Sequence, residues 1–543
     1  REHKRFVTIC GYTLLHILVG LYFSYSIWYF LYSAYNGTDG RCHGRCGMQW
    51  CNGFGMLIIL TSLTYIFLFY YYIFKPIVGK KIHHQVLSPL SYAIKAFLKS
   101  KIILSVIFLI ILAALGVFLY FETRGSEERL ISIICPVFFY AAGYVFSTDR
   151  NAIRWRPIIC GIICQFLLGV LCIRWEVGRS IFQCIGDKVA IFLSYTNDGT
   201  IFVFGEEIIK KQIFAFAILP VIFFFSFCIS ILYYIGAMQW TISKLGWILQ
   251  QILGTTVCES VNAAANIFLG MSEAPLLIRP YIKLLTASEM HAIMVSGFAT
   301  VSGTVLAAYM SFGASPAHLI TSSVMAAPAT LAMSKLYFPE TEESRTKSDS
   351  DMQLEKSQDS SLLDAASNGA SIAIQIVLGI VANLVAFVAF IAFINGVVNW
   401  LGYLVGVDIT FEWVFAKLFM PISWSMGIPW KECDAAAKVI ATKSIINEFV
   451  AYQRLGEYTE KGLLSVRNFI RSNGIMTYAI CGFANPSSLG ILIGSLGVMA
   501  PDRKAQITQV AFRAFIVGTI VCFISASFAG KILKLIYVIQ ELH

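Results

Sequence analysis

Residues Gly254–Tyr281 read GTTVCESVNAAANIFLGMSEAPLLIRPY. The stretch lies in a very apolar chain, yet it carries Glu259, Asn262, Asn266, Ser272 and Glu273. A helical pattern from about Thr255 to Phe268 breaks at Leu269-Gly270 and resumes towards Leu277, with Pro275 just past the break. Backbone groups freed by such a break find no partner in lipid. A polar, broken segment is therefore buried in protein or lines a watery cavity. Intramembrane carboxylates are costly and mark substrate or ion pathways. The stretch reads as the first half of a binding site.

The rest of the chain supports a membrane setting. Its 543 residues are 57% hydrophobic and 13% charged, about half the charged share of a soluble protein. Apolar runs long enough for a bilayer recur, about eleven in all. The class is an all-α polytopic membrane protein. The formal net charge of +10 is assigned to cytoplasmic loops, which collect Lys and Arg, rather than to a nucleic-acid partner. The 14 cysteines form no disulfide framework, because many lie in apolar runs. Cys42, Cys46 and Cys51 share one loop with His43. Their spacing fits no strong zinc template, and an external disulfide is expected. No cleavable signal peptide is evident.

Spans are expected near residues 6–32, 53–74, 102–121, 130–146, 158–173 and 213–235. The broken segment follows, and then spans near 288–312 and 317–337. A long apolar run, Ala365–Leu404, precedes a second irregular segment, Phe411–Leu455, and two last spans near 466–498 and 506–536. Arg174–Lys211 mixes charged and apolar residues and reads as an interfacial amphipathic helix. Lysines between spans two and three, with Arg150, Arg154 and Arg156 between spans four and five, place both loops in the cytoplasm. The amino terminus is then cytoplasmic and the carboxyl terminus extracellular. Asn36-Gly37-Thr38, a glycosylation acceptor, falls in the first external loop. Thr341–Asp364 is a polar linker. On either side of it lies a broken polar segment followed by two spans, the pattern of transporters built on inverted repeats.

Four polar patches stand out: Asn266–Glu273, Gly297–Val305, Asn447-Glu448 and Gly482–Ser488. For Gly297–Gly303, close helix packing through small residues competes with a binding role. Burial cost argues that Glu273 and Glu448 are functional. Arg279 and Glu289 are expected to be membrane-end anchors, and His291 and His318 to be packed or solvated. Freed carbonyls and hydroxyls suit a cation or a polar solute. Acidic and amide side chains suit a hydroxyl-rich one, and Phe483 offers a ring to a planar group. On residue types alone an amino acid or a dicarboxylate serves equally.

Longer motifs narrow this. Ala265–Phe268 with Glu273–Tyr281, Ser323–Pro328, Asn447–Gln453 and Cys481–Asn485 resemble the concentrative nucleoside transporters over about residues 158–536. The resemblance implies sodium-driven nucleoside uptake at the plasma membrane, by a homotrimer with scaffold and elevator-like transport domains. It implies no cofactor beyond the coupling sodium. The organisation expected is 1–129, amino-terminal spans of the animal type; 130–253, scaffold spans and the interfacial helix; 254–338, first hairpin and repeat; 339–364, cytoplasmic linker; 365–410, long scaffold helix at the trimer axis; and 411–543, second hairpin and repeat. By the same resemblance Met271, Ser272 and Glu273 face the nucleobase, Glu448, Asn485 and Ser488 bind ribose, and Phe483 lines the pocket. Asn266, the Leu269 and Val301 carbonyls and Thr300 hold sodium.

Departures from the family pattern carry the selectivity reading. Many members have Gln where this chain has Met271, and a thioether is a weak acceptor. Gly270-Met271 with Thr304-Val305 resembles the purine-preferring animal transporter. Loss of one hydrogen bond weakens selection for pyrimidines by roughly 1 kcal/mol, about fivefold. Purine preference, with uridine as the exception, is expected. Pro486 replaces an apolar residue usual in the family, and the long extracellular carboxyl-terminal tail of many animal members is not expected. The competing readings are proton coupling through Glu273 or Glu448, broad nucleoside selectivity, a channel, and an intramembrane hydrolase. No nucleophile or metal set accompanies the two glutamates, which argues against an enzyme.

Overall fold

The computed structural model describes residues 2–36, 50–51, 53–79, 131–211, 213–346, 357, 359–461 and 466–532. These residues are helical or irregular, with no β-strand among them. The chain divides into two compact units, Arg1–Glu122 and Thr123–His543.

In the first unit, α1 (Glu2–Asn36) opens on charged residues and is apolar from about Thr13, α2 (Phe54–Phe69) is apolar along its length, and α2 continues into a π-helical segment, Tyr70–Gly79. His16 Nδ1 lies 3.2 Å from Tyr65 Oη, and the Phe30 and Phe54 rings stack. Cys51 is disulfide-bonded, and so is Cys184 of the second unit, whose pairing the sequence did not suggest. Cys42, Cys46, the glycosylation triplet beyond Asn36 and the span expected at 102–121 lie outside the described residues.

The second unit begins with α3 (Ile134–Val145) and α4 (Trp155–Gly169). The expected interfacial helix is instead three helices, α5 (Glu176–Ser194), α6 (Thr196–Phe204) and α7 (Glu206–Lys210). Gly205, at φ +83°, turns the chain between the last two.

A five-part order then occurs twice. The first pass is α8 (Val221–Tyr234), α9 (Ala237–Leu253), a hairpin led by α10 (Val257–Ala265), a broken helix α11 (Ala287–Phe298) and α12 (Gly303–Ser311), and α13 (Pro316–Tyr337). The second is α14 (Leu362–Leu404), α15 (Phe411–Ser425), a hairpin of α16 (Cys433–Ile445) and α17 (Glu448–Glu460), a broken helix α18 (Val466–Ile480) and α19 (Pro486–Met499), and α20 (Lys504–Ile532). The first pass starts two helices, and the second one helix, before the stretches legible in the sequence, since α8 and α14 occupy the same place in the order.

Seven described helices are long and apolar enough to cross a membrane, fewer than the number read from hydropathy. Two of the expected spans are broken: 288–312 at Ala299–Ser302, and 466–498 at Cys481–Asn485. Each half is too short to count. A third span, α3, is only 12 residues long. In contrast, α14 runs unbroken for 43 residues, about 65 Å at 1.5 Å per residue. It packs along α8, where a Cβ on Gly369 would sit 2.6 Å from the Ser226 carbonyl. Much of its remaining surface is exposed and apolar, including Ile372, Leu378, Val385, Phe393 and Trp400.

The restarts after breaks have a common cause. Ser302, Asn447 and Asn485 each place a side-chain oxygen on a backbone N–H of the following helix, satisfying donors that a helix start leaves free. Thr256/Glu259 and Thr286/Glu289 form capping boxes at the starts of α10 and α11. Pro486 occupies the first position of α19. An N–H there would have no helical partner, so proline fits without distortion.

Candidate functional site

The two hairpins and the two breaks meet at the centre of the second unit. The Gly303 N–H donates to the Phe268 carbonyl at 3.0 Å, tying the first hairpin tip to the first break. The Phe483 N–H donates to the Thr300 carbonyl at 3.3 Å, tying the two breaks together. Close approach depends on glycine. A Cβ on Gly482 would lie 2.8 Å from the Phe298 carbonyl, and one on Gly297 2.8 Å from Met271 Cβ. The Gly297–Gly303 patch thus combines close packing with a helix break, where the sequence left the two readings in competition.

Around the second hairpin a hydrogen-bonded chain forms. Glu448, the first residue of α17, is buried. Its Oε2 accepts from Asn485 Nδ2 at 2.7 Å, and its Oε1 from the Tyr309 hydroxyl at 3.3 Å. Asn485 Oδ1 accepts from the Ser488 N–H at 2.9 Å. Glu448, Asn485 and Ser488 are therefore one assembly, with Phe483 buried at 9% exposure in the same break. Tyr309 was missed in the sequence. Its signal is a tyrosine five residues beyond Thr304 in an otherwise small and apolar helix.

The first hairpin tip is folded on itself. Glu273 Oε2 accepts from the Gly270 N–H at 3.0 Å. Met271 is buried against Gly297, while Ser272 is partly exposed. The Thr304 and Ser302 hydroxyls lie 2.6 Å apart, and Val305 is buried beside them.

A second polar cluster lies where α10 and α11 end. Asn266 caps α10, and its Nδ2 donates to the Asn262 carbonyl and to Ser296 Oγ, both at 3.0 Å. Asn262 Nδ2 also donates to Ser296 Oγ, at 2.8 Å. The Thr300 hydroxyl donates to the Ser296 carbonyl at 2.7 Å. The amide oxygens of Asn262 and Asn266 are buried with no hydrogen-bond partner. Such atoms are costly to leave unpaired, and oxygen-rich surroundings suit a hard cation. Leu269 and Val301 are buried here as well. Among the described residues no His, Cys, Asp and Glu side chains cluster to hold a transition metal.

Family models covering most of the second unit match the chain. Residues 134–207 match the Na+ dependent nucleoside transporter N-terminus, 215–316 a nucleoside recognition domain, and 318–530 the Na+ dependent nucleoside transporter C-terminus. The chain belongs to the Na+ dependent nucleoside transporter family. Rabbit sodium/nucleoside cotransporter 1 is 42% identical over 487 residues, covering 87% of this chain and 72% of the rabbit protein. Rat sodium/nucleoside cotransporter 2 is 44% identical over 430 residues, covering 77% of this chain. The chain spans 65% of that rat protein's length. These relatives are cotransporters rather than enzymes. A solved structure of CNTnw in an inward-facing substrate-bound state is 37% identical, with a TM-score of 0.70, and covers 75% of this chain and 98% of the other.

One sequence expectation needs correction within this family frame. Glu289 is no membrane-end anchor. It is fully buried, and its Oε1 accepts from Ser344 and Thr346 at 2.6 and 2.8 Å. The capping position at the start of α11 explains its burial. Lys335 and Lys443 are buried cations that the sequence reading passed over. His291 and His318 are packed: His291 Nδ1 lies 2.7 Å from Ser334 Oγ, and His318 packs on the Tyr478 ring.

Proposed function

We propose that this protein is a sodium-coupled nucleoside symporter with a preference for purine nucleosides, namely adenosine, inosine and guanosine, with uridine as the exception. The observation that carries the reading is the Glu448–Asn485–Ser488 chain at the meeting of hairpin and break. A buried carboxylate bonded to the Asn485 amide and the Tyr309 hydroxyl can accept from and donate to vicinal sugar hydroxyls. Ser272 and Glu273 meet the base from the other hairpin, and Phe483 contributes a ring. The unpaired Asn262 and Asn266 oxygens support a sodium site built from Asn266, Thr300 and the carbonyls of Leu269 and Val301. The ion would supply positive charge at two helix ends and order the first hairpin tip.

Purine preference rests on Met271 and Val305, both buried and apolar, and on Thr304, whose hydroxyl is already engaged by Ser302. That wall offers a base edge little to bond and leaves the larger ring system the better occupant. The names of the relatives are mixed, including cotransporters 1 and 2 and solute carrier family 28 member 3. An elevator cycle is supported by the solved states of CNTnw, which include inward-facing, outward-facing and intermediate ones. The long apolar face of α14 suits a homotrimer axis, and residence in the plasma membrane follows from the same reading.

The test is uptake of labelled inosine into cells lacking nucleoside transport, in sodium and in choline, with excess unlabelled guanosine or cytidine. Sodium-dependent uptake blocked by guanosine and spared by cytidine is expected. Equal block by cytidine overturns the selectivity, and uptake indifferent to sodium overturns the coupling.

A further inference from the structure

The two passes of the fold treat one equivalent place differently. In the first, the leading hairpin helix α10 and the first half-helix α11 end together. Neither has a basic residue in its last turn, and two buried amide oxygens there are unpaired. In the second, α16 and α18 occupy the same positions in the order. Here the last turn of α16 carries Lys443, which is completely buried. Its Nζ donates to the Ala479 carbonyl at 3.5 Å, one residue from the end of α18. It also lies within hydrogen-bonding reach of the Cys522 thiol and within electrostatic range of Glu448. It makes no ion pair among the described residues.

The two arms are offset by one residue on each helix but span the same gap. Asn262 lies three residues before the end of α10 and donates to Ser296, two before the end of α11. Lys443 lies two before the end of α16 and reaches Ala479, one before the end of α18. Each arm thus reaches from the close of its hairpin helix to the close of the neighbouring half-helix.

Helix C-termini carry partial negative charge from their unpaired carbonyls. Two ending at one buried point make a strong cation position, and a lone buried ammonium is otherwise expensive. We propose that Lys443 is the built-in cation of the second repeat, its ammonium standing where a dissociable sodium ion stands in the first. This rests on the sodium site of the functional reading. It adds that the second position is closed to sodium by a tethered charge, which also provides Glu448 with a fixed counter-charge through every stage of transport.

The test compares wild type with Lys443→Asn, which removes the charge, opens space and leaves an oxygen ligand. Inosine uptake and charge movement are recorded together over a sodium series in voltage-clamped cells. Thermal unfolding of the detergent-extracted protein is followed in sodium and in choline. The variant is expected to show a steeper sodium dependence than wild type, its Hill coefficient rising by up to about one, with one further charge moved per nucleoside. Its unfolding midpoint should be lower than wild type in choline and be raised more by sodium. A variant with wild-type steepness and charge ratio overturns the proposal. So does one equally destabilised in both salts, or one that does not fold even in high sodium, because sodium should replace the missing charge. Wild type indifferent to sodium would instead overturn the functional reading beneath it.

Discussion

Asn485 divides its side chain between two partners. Its Nδ2 donates to Glu448 Oε2 at 2.7 Å, while its Oδ1 accepts from the Ser488 N–H at 2.9 Å and caps α19. One residue therefore fixes both the restart of a broken helix and the orientation of the carboxylate in the second hairpin. Asn485→Ala should remove about 1 kcal/mol of capping and leave a buried carboxylate oxygen unpaired at a further cost of about 1–3 kcal/mol. Asn485→Asp should keep the cap and set two carboxylates against each other. We expect Asn485→Ala to unfold at lower temperature in detergent with uptake lost. Asn485→Asp should lose uptake at neutral pH and, with a second carboxylate buried beside Glu448, be no more stable than Asn485→Ala. Asn485→Ala with wild-type uptake would show that Asn485 does not orient Glu448.

Gly297 and Met271 meet backbone to side chain. A Cβ at 297 would stand 2.8 Å from Met271 Cβ and 3.3 Å from its Cα, so rotamer changes at Met271 give no relief. Gly297→Ala should cost about 1–3 kcal/mol through overpacking and displace the first hairpin tip. The inosine concentration for half-maximal uptake should rise several-fold. Met271→Gly in the same chain removes the opposing Cβ and should restore part of the loss. A Gly297→Ala protein with wild-type uptake would contradict the close approach.

The sequence disclosed the breaks better than the connections across them. Asn266–Glu273 and Gly482–Ser488 announce themselves as polar and proline- or glycine-bearing runs in apolar surroundings, because a membrane interior penalises them wherever they lie. The break at Ala299–Ser302 was half hidden, since its small residues also serve helix packing. Tyr309, Lys443 and Lys335 were missed for a different reason. Each sits singly in a regular helix, and only the fold brings it to Glu448, Ala479 or Glu259. Glu289 was misplaced because a capping glutamate and a membrane-end glutamate look alike until the linker is seen to fold over one of them.

Selectivity should turn on residue 271. Met271 is buried at the first hairpin tip and brings no strong hydrogen-bonding group. Met271→Gln adds a donor and an acceptor at the same length. If this wall faces the base, the substitution should raise cytidine competition against labelled inosine by about fivefold, the worth of one added hydrogen bond, while sodium dependence stays as in wild type. Unchanged competition by cytidine would move the selectivity argument to Thr304 and Val305.

The start of the linker is built into the second unit through charge. Lys335 Nζ pairs with Glu259 Oε2 at 2.8 Å and Glu340 Oε2 at 3.3 Å, with the Lys335 and Glu259 side chains almost fully buried. Thr286 Oγ1 donates to Glu340 Oε2 at 2.8 Å, and Ser344 and Thr346 both donate to Glu289. Residues 340–346 thus bind the capping boxes that start α10 and α11. Removing one partner of a buried pair leaves an uncompensated charge and typically costs about 3–5 kcal/mol, whereas replacing both partners by apolar groups is far cheaper. Lys335→Met should therefore lower the unfolding midpoint sharply, and adding Glu259→Met should recover part of the loss. Thr346→Asp, which sets a carboxylate against Glu289, should instead release the linker while leaving the Lys335–Glu259 pair intact. Trypsin should then cut at Arg345 faster than in wild type, with little change in the unfolding midpoint. Cleavage at the wild-type rate would mean that the contacts at Glu289 do not hold the linker down.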